Sequence, residues 1–393
     1  MKKFKRATII VLDSAGIGEL PDAKRFGDEN VNTIGHISST VGLNVPNMEA
    51  MGLGNIADLA TVKPTANPIA KFGKMAEVGE GKDTLTGHWE MMGNTLHQGF
   101  NQFTDNGFPE EVIAEFEART GRKVIANIEG SGMKVIAQYF DEHMETGSFI
   151  VYTSADSTFQ IAAHEDVVSI EELYKACEIA SEIVQTPKYN VARIIARPFI
   201  GGRNDFTRTA NRHDYAQSPT EYLVTEKLQD AGLDCISIGK INDIFTGKGI
   251  TEAFKSKSND DGVKLTIEQL KRDDINGLIF TNLVDFDTLG GHPRDAALYR
   301  DMLETFDSQL PEIMAAMNED DLLVITADHG NDPTYLGNDH TREYVPILCY
   351  SPSIGGGEIP TRNTFEDLGE TLCENWSLKS TNEGTSFLAE LIK

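Results

Sequence analysis

The sequence predicts an α/β protein: a mostly parallel sheet with helices on both faces, plus an inserted α+β cap domain. Three observations predict it. Short, near-continuous apolar runs recur along the chain, and several end on a carboxylate. Such runs suit strands buried on both faces. Longer helical patterns alternate with them, as in a sheet covered by helices. A middle segment of different texture then separates the first run from the last three, which makes the core discontinuous. The reading is a core formed by 1–98 and 216–393, with 99–215 as the cap.

Thr8–Leu12 is the first strand and ends at Asp13. Gly16-x-Gly18 follows, but Pro21 stands where a dinucleotide loop needs its third glycine. In the cap, Pro109–Glu117 reads as a helix and Ser148–Tyr152 as a strand. Ser169-x-x-Glu172 is a capping box that opens a helix to about Val184, and Val191–Ile195 is a second strand. The core resumes with a helix over Tyr222–Ala231 and a strand, Cys235–Ile238, that leads into Gly239-Lys240. Leu278–Val284 is a strand ending at Asp285 and Asp287. A helix over Asp295–Met317 precedes the strand Leu322–Ile325, which ends at Asp328. Val345–Tyr350 is expected at a sheet edge, because Pro346 has no N–H to donate. Ser386–Ile392 closes the chain as a short helix.

Apolar residues make up 40% and charged residues 24% of the 393 positions, an ordinary globular composition. The formal charge of −26 argues against a nucleic-acid or anionic-membrane partner, which it would repel. The apolar run after the basic N-terminus stops at Asp13, too short for an export core. No run approaches a membrane span. The four cysteines include no C-x-x-C pair. A reduced, cytoplasmic protein is expected, and no obligate protein partner is evident.

The chemistry concentrates in Thr326-Ala-Asp328-His329-Gly-Asn, with His340 soon after. Carboxylate and imidazole at the end of a buried strand suit a divalent metal at the place where open α/β sheets bind ligands. The plainer reading is a capping aspartate beside a surface histidine. Asp285-Phe-Asp287 forms a second cluster; on extended backbone its two aspartates point the same way. Gly290-Gly291 would turn the chain and return His292 to the strand end. Asp13 completes the set, with a helix N-cap as its alternative. Asp13, Asp287, His292, Asp328, His329 and His340 exceed the needs of a four-coordinate structural site. They suit two metals, roughly 3.5–4 Å apart in known pairs, that clamp a phosphoryl group.

Such a site needs a nucleophile, and Gly81-Lys-Asp-Thr84-Leu-Thr86-Gly-His88 offers two hydroxyls in a glycine-flanked turn. Either threonine also fits a capping role, and His88 fits substrate binding or packing equally. Arg193, Arg197, Arg208 and Lys240 are candidates for phosphate oxygens, against ordinary surface ion pairing. Ser154 and Asp156 are candidates for sugar hydroxyls, against loop capping.

Together these motifs resemble the phosphopentomutases of the alkaline phosphatase superfamily. The resemblance rests on Asp13-Ser-x-Gly-Ile-Gly, Gly-Lys-Asp-Thr84-x-Thr-Gly-His-Trp-Glu, Tyr152-Thr-Ser-Ala-Asp-Ser157, Asn282-Leu-Val-Asp-Phe-Asp287, Thr326-Ala-Asp-His-Gly-Asn-Asp332 and Asp339-His-Thr-Arg-Glu-Tyr-Val-Pro346. It runs nearly end to end. It implies an alkaline phosphatase-like core and metal-dependent exchange of phosphate between positions 1 and 5 of ribose or 2-deoxyribose, with a pentose phosphate as substrate. It implies two Mn²⁺ ions, one held by Asp13, Asp328 and His329 and the other by Asp287, His292 and His340. It further implies Thr84 as the phosphorylated residue, a sugar bisphosphate as activator, and Ser154, Asp156, Arg193, Arg208 and Lys240 near the substrate. Two positions depart from the family pattern: Pro293 stands where a basic residue is expected, and Thr158-Phe159 where aliphatic residues are. The alternatives are a metal-dependent phosphatase or phosphodiesterase, a cofactor-independent phosphoglycerate mutase, and a metal-storing module.

Overall fold

In the computed structural model, residues 4–154 and 157–393 are described. The strands in chain order are β1 (Arg6–Leu12), β2 (Lys71–Met75), β3 (Val124–Glu129), β4 (Phe149–Thr153), β5 (Thr158–His164), β6 (Arg193–Ile200), β7 (Thr207–Arg208), β8 (His213–Ala216), β9 (Asp234–Ile238), β10 (Glu252–Phe254), β11 (Gly277–Leu283), β12 (Asp321–Thr326), β13 (Val345–Tyr350) and β14 (Gly357–Glu358). They make two sheets in two compact units. Unit 1 comprises Met1–Gln98 and Pro219–Lys393, and unit 2 is Gly99–Ser218. The second joint lies slightly beyond residue 215, because β8 is hydrogen-bonded to β6 and so belongs to unit 2.

Unit 1 is built on an eight-stranded sheet in the order β10-β9-β11-β1-β12-β13-β2-β14. β1 pairs in parallel with β11 and β12, and every residue of the three strands is buried. Their apolar side chains have both faces of the sheet to fill, which is why no polar alternation appears in the sequence. Arg6 and Asp321 open β1 and β12 in register and form a buried, two-pronged ion pair, Nε–Oδ1 3.0 Å and Nη2–Oδ2 2.5 Å. A buried charge is tolerated only when paired in this way. The pair pins β1 against β12, and the parallel pairing of β1 with β11 brings the third carboxyl end alongside. Asp13, Asp287 and Asp328 follow those three ends.

β13 lies inside the sheet, antiparallel to both β12 and β2, and is not an edge strand. Pro346 is accommodated because the β12 register stops at Leu348, so at Pro346 the strand pairs only with β2. Asp285 and Asp287 likewise do not lie on extended backbone. Phe286–Gly291 winds as a π-helix, which separates the two carboxylates. Asp285 accepts from the Asn259 N–H at 2.8 Å, at the start of the helix Asn259–Leu270, while Asp287 faces the strand ends. Gly290 and Gly291 serve close approach rather than a left-handed turn. A Cβ on Gly290 would meet the Tyr299 ring at 2.7 Å, and one on Gly291 the Asn331 amide at 2.7 Å.

Unit 2 has the sheet order β3-β4-β5-β6-β7, with β8 also on β6. The helix expected from the Ser169 signal spans Ile170–Val184, with the Ser169 hydroxyl accepting from the Glu172 N–H. Period-two alternation sends β4, β5 and β6 residues to two faces. Phe149, Val151, Phe159, Ile161, Ile194 and Ala196 belong to one core cluster, and Ile150, Tyr152, Ala162 and Phe199 to another. Phe159 is therefore a core residue, 4.5 Å from the Phe108 ring. Thr158 pairs in register with Arg193.

Candidate metal centre

Each acidic residue of the site owes its place to a strand end. Asp13 follows β1 through Ser14, whose left-handed backbone (φ 72°) bends the chain sharply. The Ser14 N–H donates to Asp328 Oδ1 at 3.0 Å, which joins the ends of β1 and β12. Asn282 on β11 donates to Asp13 Oδ2 at 2.9 Å, and Asn331 to Asp287 Oδ1 at 2.7 Å. Asp13, Asp287 and Asp328 are all buried.

The imidazoles close in from the loops. His329 Nε2 lies 3.5 Å from Asp13 Oδ1 and 3.4 Å from Asp328 Oδ2. Its Nδ1–H donates to the Gly330 carbonyl at 3.0 Å, which leaves Nε2 as the ligand atom. His340 Nε2 is 3.5 Å from Asp287 Oδ1, and His292 Nε2 is 3.1 Å from Asp287 Oδ2. His292 Nδ1–H donates to the Asn338 carbonyl at 2.7 Å. The ring centroids of His329 and His340 are 4.2 Å apart, and those of His292 and His340 4.8 Å. The structure thus brings all six residues together. Ligand atoms of Asp13, Asp328 and His329 converge in one group, and those of Asp287, His329 and His340 in another. His329 stands between the two halves, and His292 reaches Asp287 from the outer side.

Thr84 joins them. It is the first residue of the helix Thr84–Met91, where Asp83 and Thr86 cap each other's backbone. Its Oγ1 lies 3.4 Å from His329 Nε2. Thr86 donates to the Asp83 carbonyl at 2.9 Å, so it is the capping threonine and Thr84 the one turned to the cluster. A Cβ on Gly87 would sit 2.0 Å from the Asp328 carbonyl oxygen, so glycine is what lets this helix press against the end of β12. His88 is fully buried; its Nδ1 lies 2.9 Å from the Thr84 carbonyl and 3.2 Å from Asp328 Oδ2.

The donor set fits cations. Asp13 Oδ1, Asp328 Oδ2 and His340 Nε2 are buried without a hydrogen-bond partner, a cost that a metal removes. Burial, then the Asp328 and Asp287 carboxylates, hold Asp13 well above the usual range. Burial works the same way on Asp328, but His329 and His88 bring it down to about 2. Burial opposes the charge on His329 too, yet Asp328, Asp13 and Asp287 push it up to about 9. Without a cation, these groups must hold protons between them.

Of the expected substrate residues, Lys240 follows β9 and lowers the Asp13 pKa electrostatically. It lines a cleft of about 300 Å³ with Lys255, Lys257 and Ser256. Ser154, Arg193 and Arg208 lie in unit 2, and Asp156 falls outside the described residues.

Two arginines that sequence reasoning missed organise the loops. Arg294, also left-handed (φ 60°), donates to the carbonyls of Gly337 at 2.7 Å, Asp332 at 2.9 Å and Asp339 at 2.7 Å, and to the Asn331 side chain. It ties the His292 loop to the His340 loop. Pro293 is exposed, so the basic residue beside it carries the contacts. Arg342 is buried and donates to Glu77 and to the carbonyls of Gly79 and Gly81, fixing the loop that leads to Thr84. Each arginine lies two positions after a candidate ligand histidine, a spacing visible in the sequence.

Residues 5–380 match the metalloenzyme superfamily, and the chain belongs to that family. Membership implies a bound divalent metal. Among solved structures, the phosphoglycerate mutase of Leishmania mexicana, studied at low cobalt concentration, is similar at 12% identity with a TM-score of 0.50; 98% of this chain and 97% of that one are covered. The PH0037 protein from Pyrococcus horikoshii is similar at 14% identity and a TM-score of 0.48, over 98% of this chain and 100% of that one. The alkaline phosphatase of the Antarctic bacterium TAB5 gives 12% identity and a TM-score of 0.39, over 97% and 100%. At such identities the likeness concerns the fold.

Proposed function

We propose that this metalloenzyme is a phosphopentomutase. It would interconvert ribose 1-phosphate and ribose 5-phosphate, and the 2-deoxyribose equivalents. The observation that carries the reading is Thr84 Oγ1 at a helix N-terminus, 3.4 Å from His329 Nε2 and beside the candidate ligand side chains. Asp13, Asp328 and His329 would hold one divalent cation, and Asp287, His292 and His340 the second, with Mn²⁺ the metal expected from the resemblance. When bound, the cations supply positive charge against the transferring phosphoryl group.

The chain's own groups account for the rest. Phosphorylated at Oγ1, Thr84 gives its phosphoryl group to the free hydroxyl of a pentose monophosphate. The P–Oγ1 bond breaks as a new P–O bond forms, and the proton of the sugar hydroxyl ends on the released Thr84 oxygen. The product is a pentose 1,5-bisphosphate and free Thr84. Its other phosphate then returns to Oγ1, the Thr84 proton ends on the sugar oxygen released, and the isomeric monophosphate results. The positive end of the Thr84–Met91 helix dipole favours the added negative charge, and Asp83 and Thr86 hold that first turn in place. Ser154, Arg193, Arg208 and Lys240 are the side chains we assign to the sugar phosphate. A sugar bisphosphate would prime Thr84.

The test is a coupled assay on ribose 1-phosphate with Mn²⁺ and a priming sugar bisphosphate. Isomerised sugar phosphate without released phosphate supports the mutase; free phosphate alone points to a hydrolase. The whole-length likeness to a phosphoglycerate mutase favours one second reading. Turnover of glycerate phosphates, with none of pentose phosphates, would select it.

A further inference from the structure

Two side chains flanking Thr84 have no part in the mechanism so far. Lys82 lies in the loop that leads to the helix Thr84–Met91, and His88 lies inside that helix.

His88 has no exposed surface from which to meet a substrate. Packing does not account for it either. Its Nδ1 lies 2.9 Å from the Thr84 carbonyl oxygen and 3.2 Å from Asp328 Oδ2. Both neighbours are acceptors, so Nδ1 carries the ring proton. Nε2 is buried without a hydrogen-bond partner. A ring kept for its volume alone would be apolar, since a bare buried nitrogen costs free energy. One N–H thus bridges the first residue of the nucleophile's helix and a candidate metal ligand beyond β12.

Lys82 makes a second link of this kind. Its Nζ lies 3.1 and 2.9 Å from the two oxygens of Asp28 and 3.0 Å from Asp339 Oδ2. Asp28 is buried and also accepts from the Arg342 N–H at 2.9 Å, so that partner is fixed. Asp339 is exposed, and its Oδ1 accepts from the His340 N–H at 2.9 Å. The Lys82 side chain is only 16% exposed. Ion pairs on an open surface contribute little, but removing one charge from a largely buried group leaves its partners uncompensated. Without Lys82, Asp28 and Asp339 would oppose each other, and the loop carrying His340 would lose its tie to the loop carrying Thr84.

The two links reach different halves of the metal centre. We propose that Lys82 and His88 are positioning residues that moor the Thr84 turn separately to the two halves. His88 ties it to the Asp13, Asp328 and His329 half through Asp328. Lys82 ties it to the Asp287, His292 and His340 half through Asp339. Neither residue touches the reacting atoms; each acts through a neighbour. The part that concerns phosphorylation of Thr84 rests on the mutase reading, and the part that concerns metal does not.

The experiment is calorimetric titration of the full-length, metal-free protein with Mn²⁺, with circular dichroism to check that each variant is folded. Asp13→Asn and His292→Ala assign the two equivalents. His88→Phe and His88→Gln should weaken the equivalent lost in Asp13→Asn roughly tenfold or more and leave the other within about threefold. His88→Asn, whose amide nitrogen can stand where Nδ1 does, should stay within about threefold of wild type although it fills less space. Lys82→Met should weaken the equivalent lost in His292→Ala roughly tenfold or more, and Lys82→Arg, which keeps the charge, should recover most of it. Label carried to Thr84 from radiolabelled ribose 1,5-bisphosphate should fall in His88→Phe and Lys82→Met and return in His88→Asn and Lys82→Arg.

Folded His88→Phe and Lys82→Met proteins that keep both equivalents at wild-type affinity, or weaken both alike, overturn the proposal. So does a series in which Phe and Gln outperform Asn at position 88, the order that volume alone would set. If Lys82→Met does not fold, Asp339→Asn removes the same link at an exposed position and is read in the same way. If His88→Phe does not fold, the Asn and Gln pair decides. Metal loss divided as expected, in a protein whose wild type takes up no label, upholds the proposal and overturns the mutase reading instead.

Discussion

The site in unit 1 and the arginine group in unit 2 are built on opposite principles. In unit 1, three carboxylates are buried together, and Asp13 Oδ1 and Asp328 Oδ2 face imidazoles without a hydrogen-bond partner. In unit 2, Arg193 Nε is buried without a hydrogen-bond partner, and among the described residues no carboxylate pairs with Arg193, Arg197 or Arg208. The first gathers negative charge, the second positive charge. The contrast teaches that the unit-wide charge of so acidic a chain says little about its sites. Each local cluster is set by which strand ends and helix turns the topology brings together.

The largest expected effect breaks the comparison on the unit 1 side. Thr84→Ala removes the hydroxyl that lies 3.4 Å from His329 Nε2 and that the proposed mechanism phosphorylates, so pentose phosphate isomerisation should fall roughly 10³-fold or more. Incorporation of labelled phosphate from a sugar bisphosphate should vanish with it. Residual turnover near the wild-type rate would remove Thr84 from the mechanism.

Next comes pH. Burial pushes Glu343 up to about 7, although Thr33, Thr341 and Gly18 donate to it. A carboxyl with a folded pKa raised above 4.5 binds more protons folded than unfolded across that interval. Stability should therefore fall as pH rises from about 4.5 through 7, by on the order of 3 kcal/mol from this group. Both tryptophans, Trp89 and Trp376, lie in unit 1, so tryptophan fluorescence during urea unfolding reads this unit. Glu343→Gln should flatten the dependence; an unchanged slope would assign it elsewhere.

Third, Arg294→Ala should weaken the binding of one metal equivalent roughly ten- to a hundredfold, because it frees the loops carrying His292 and His340. The Asp13, Asp328 and His329 half should keep its affinity. A Mn²⁺ titration that shows both equivalents weakened alike would contradict this division.

The smallest effect sharpens the contrast in unit 2. His143 is buried, with Nδ1–H donating to the Ser148 carbonyl at 2.6 Å and Nε2 accepting from the His164 N–H at 2.8 Å. Burial holds its pKa below the usual value. A depressed imidazole binds fewer protons folded than unfolded, so unit 2 should lose stability as pH drops below about 6.5. The two units would then respond to acid in opposite senses. Hydrogen exchange followed separately in β5 and β12 would show it, and equal responses would refute it.

Asp13, Asp328 and His329 were legible because each follows an apolar run that could only be a buried strand. Thr84 was legible as one of two hydroxyls, and the resemblance chose it; the structure adds that Thr86 spends its hydroxyl on the helix cap. Asp287 was found for a partly mistaken reason, since a π-helix rather than an extended strand separates it from Asp285. The edge position given to β13 failed because proline forbids pairing on one side only, and local sequence does not say which side is vacant. Arg294 and Arg342 escaped notice because their partners are mostly backbone carbonyls.

Composition, strand-end carboxylates and hydroxyl-bearing turns were determined by the sequence itself, because local pattern dictates burial and chain reversal. Which of those groups meet was decided by the tertiary structure. Parallel register, pinned between β1 and β12 by Arg6 and Asp321 and continued onto β11, sets Asp13, Asp287 and Asp328 side by side, and contacts between residues hundreds of positions apart leave no local trace in the chain.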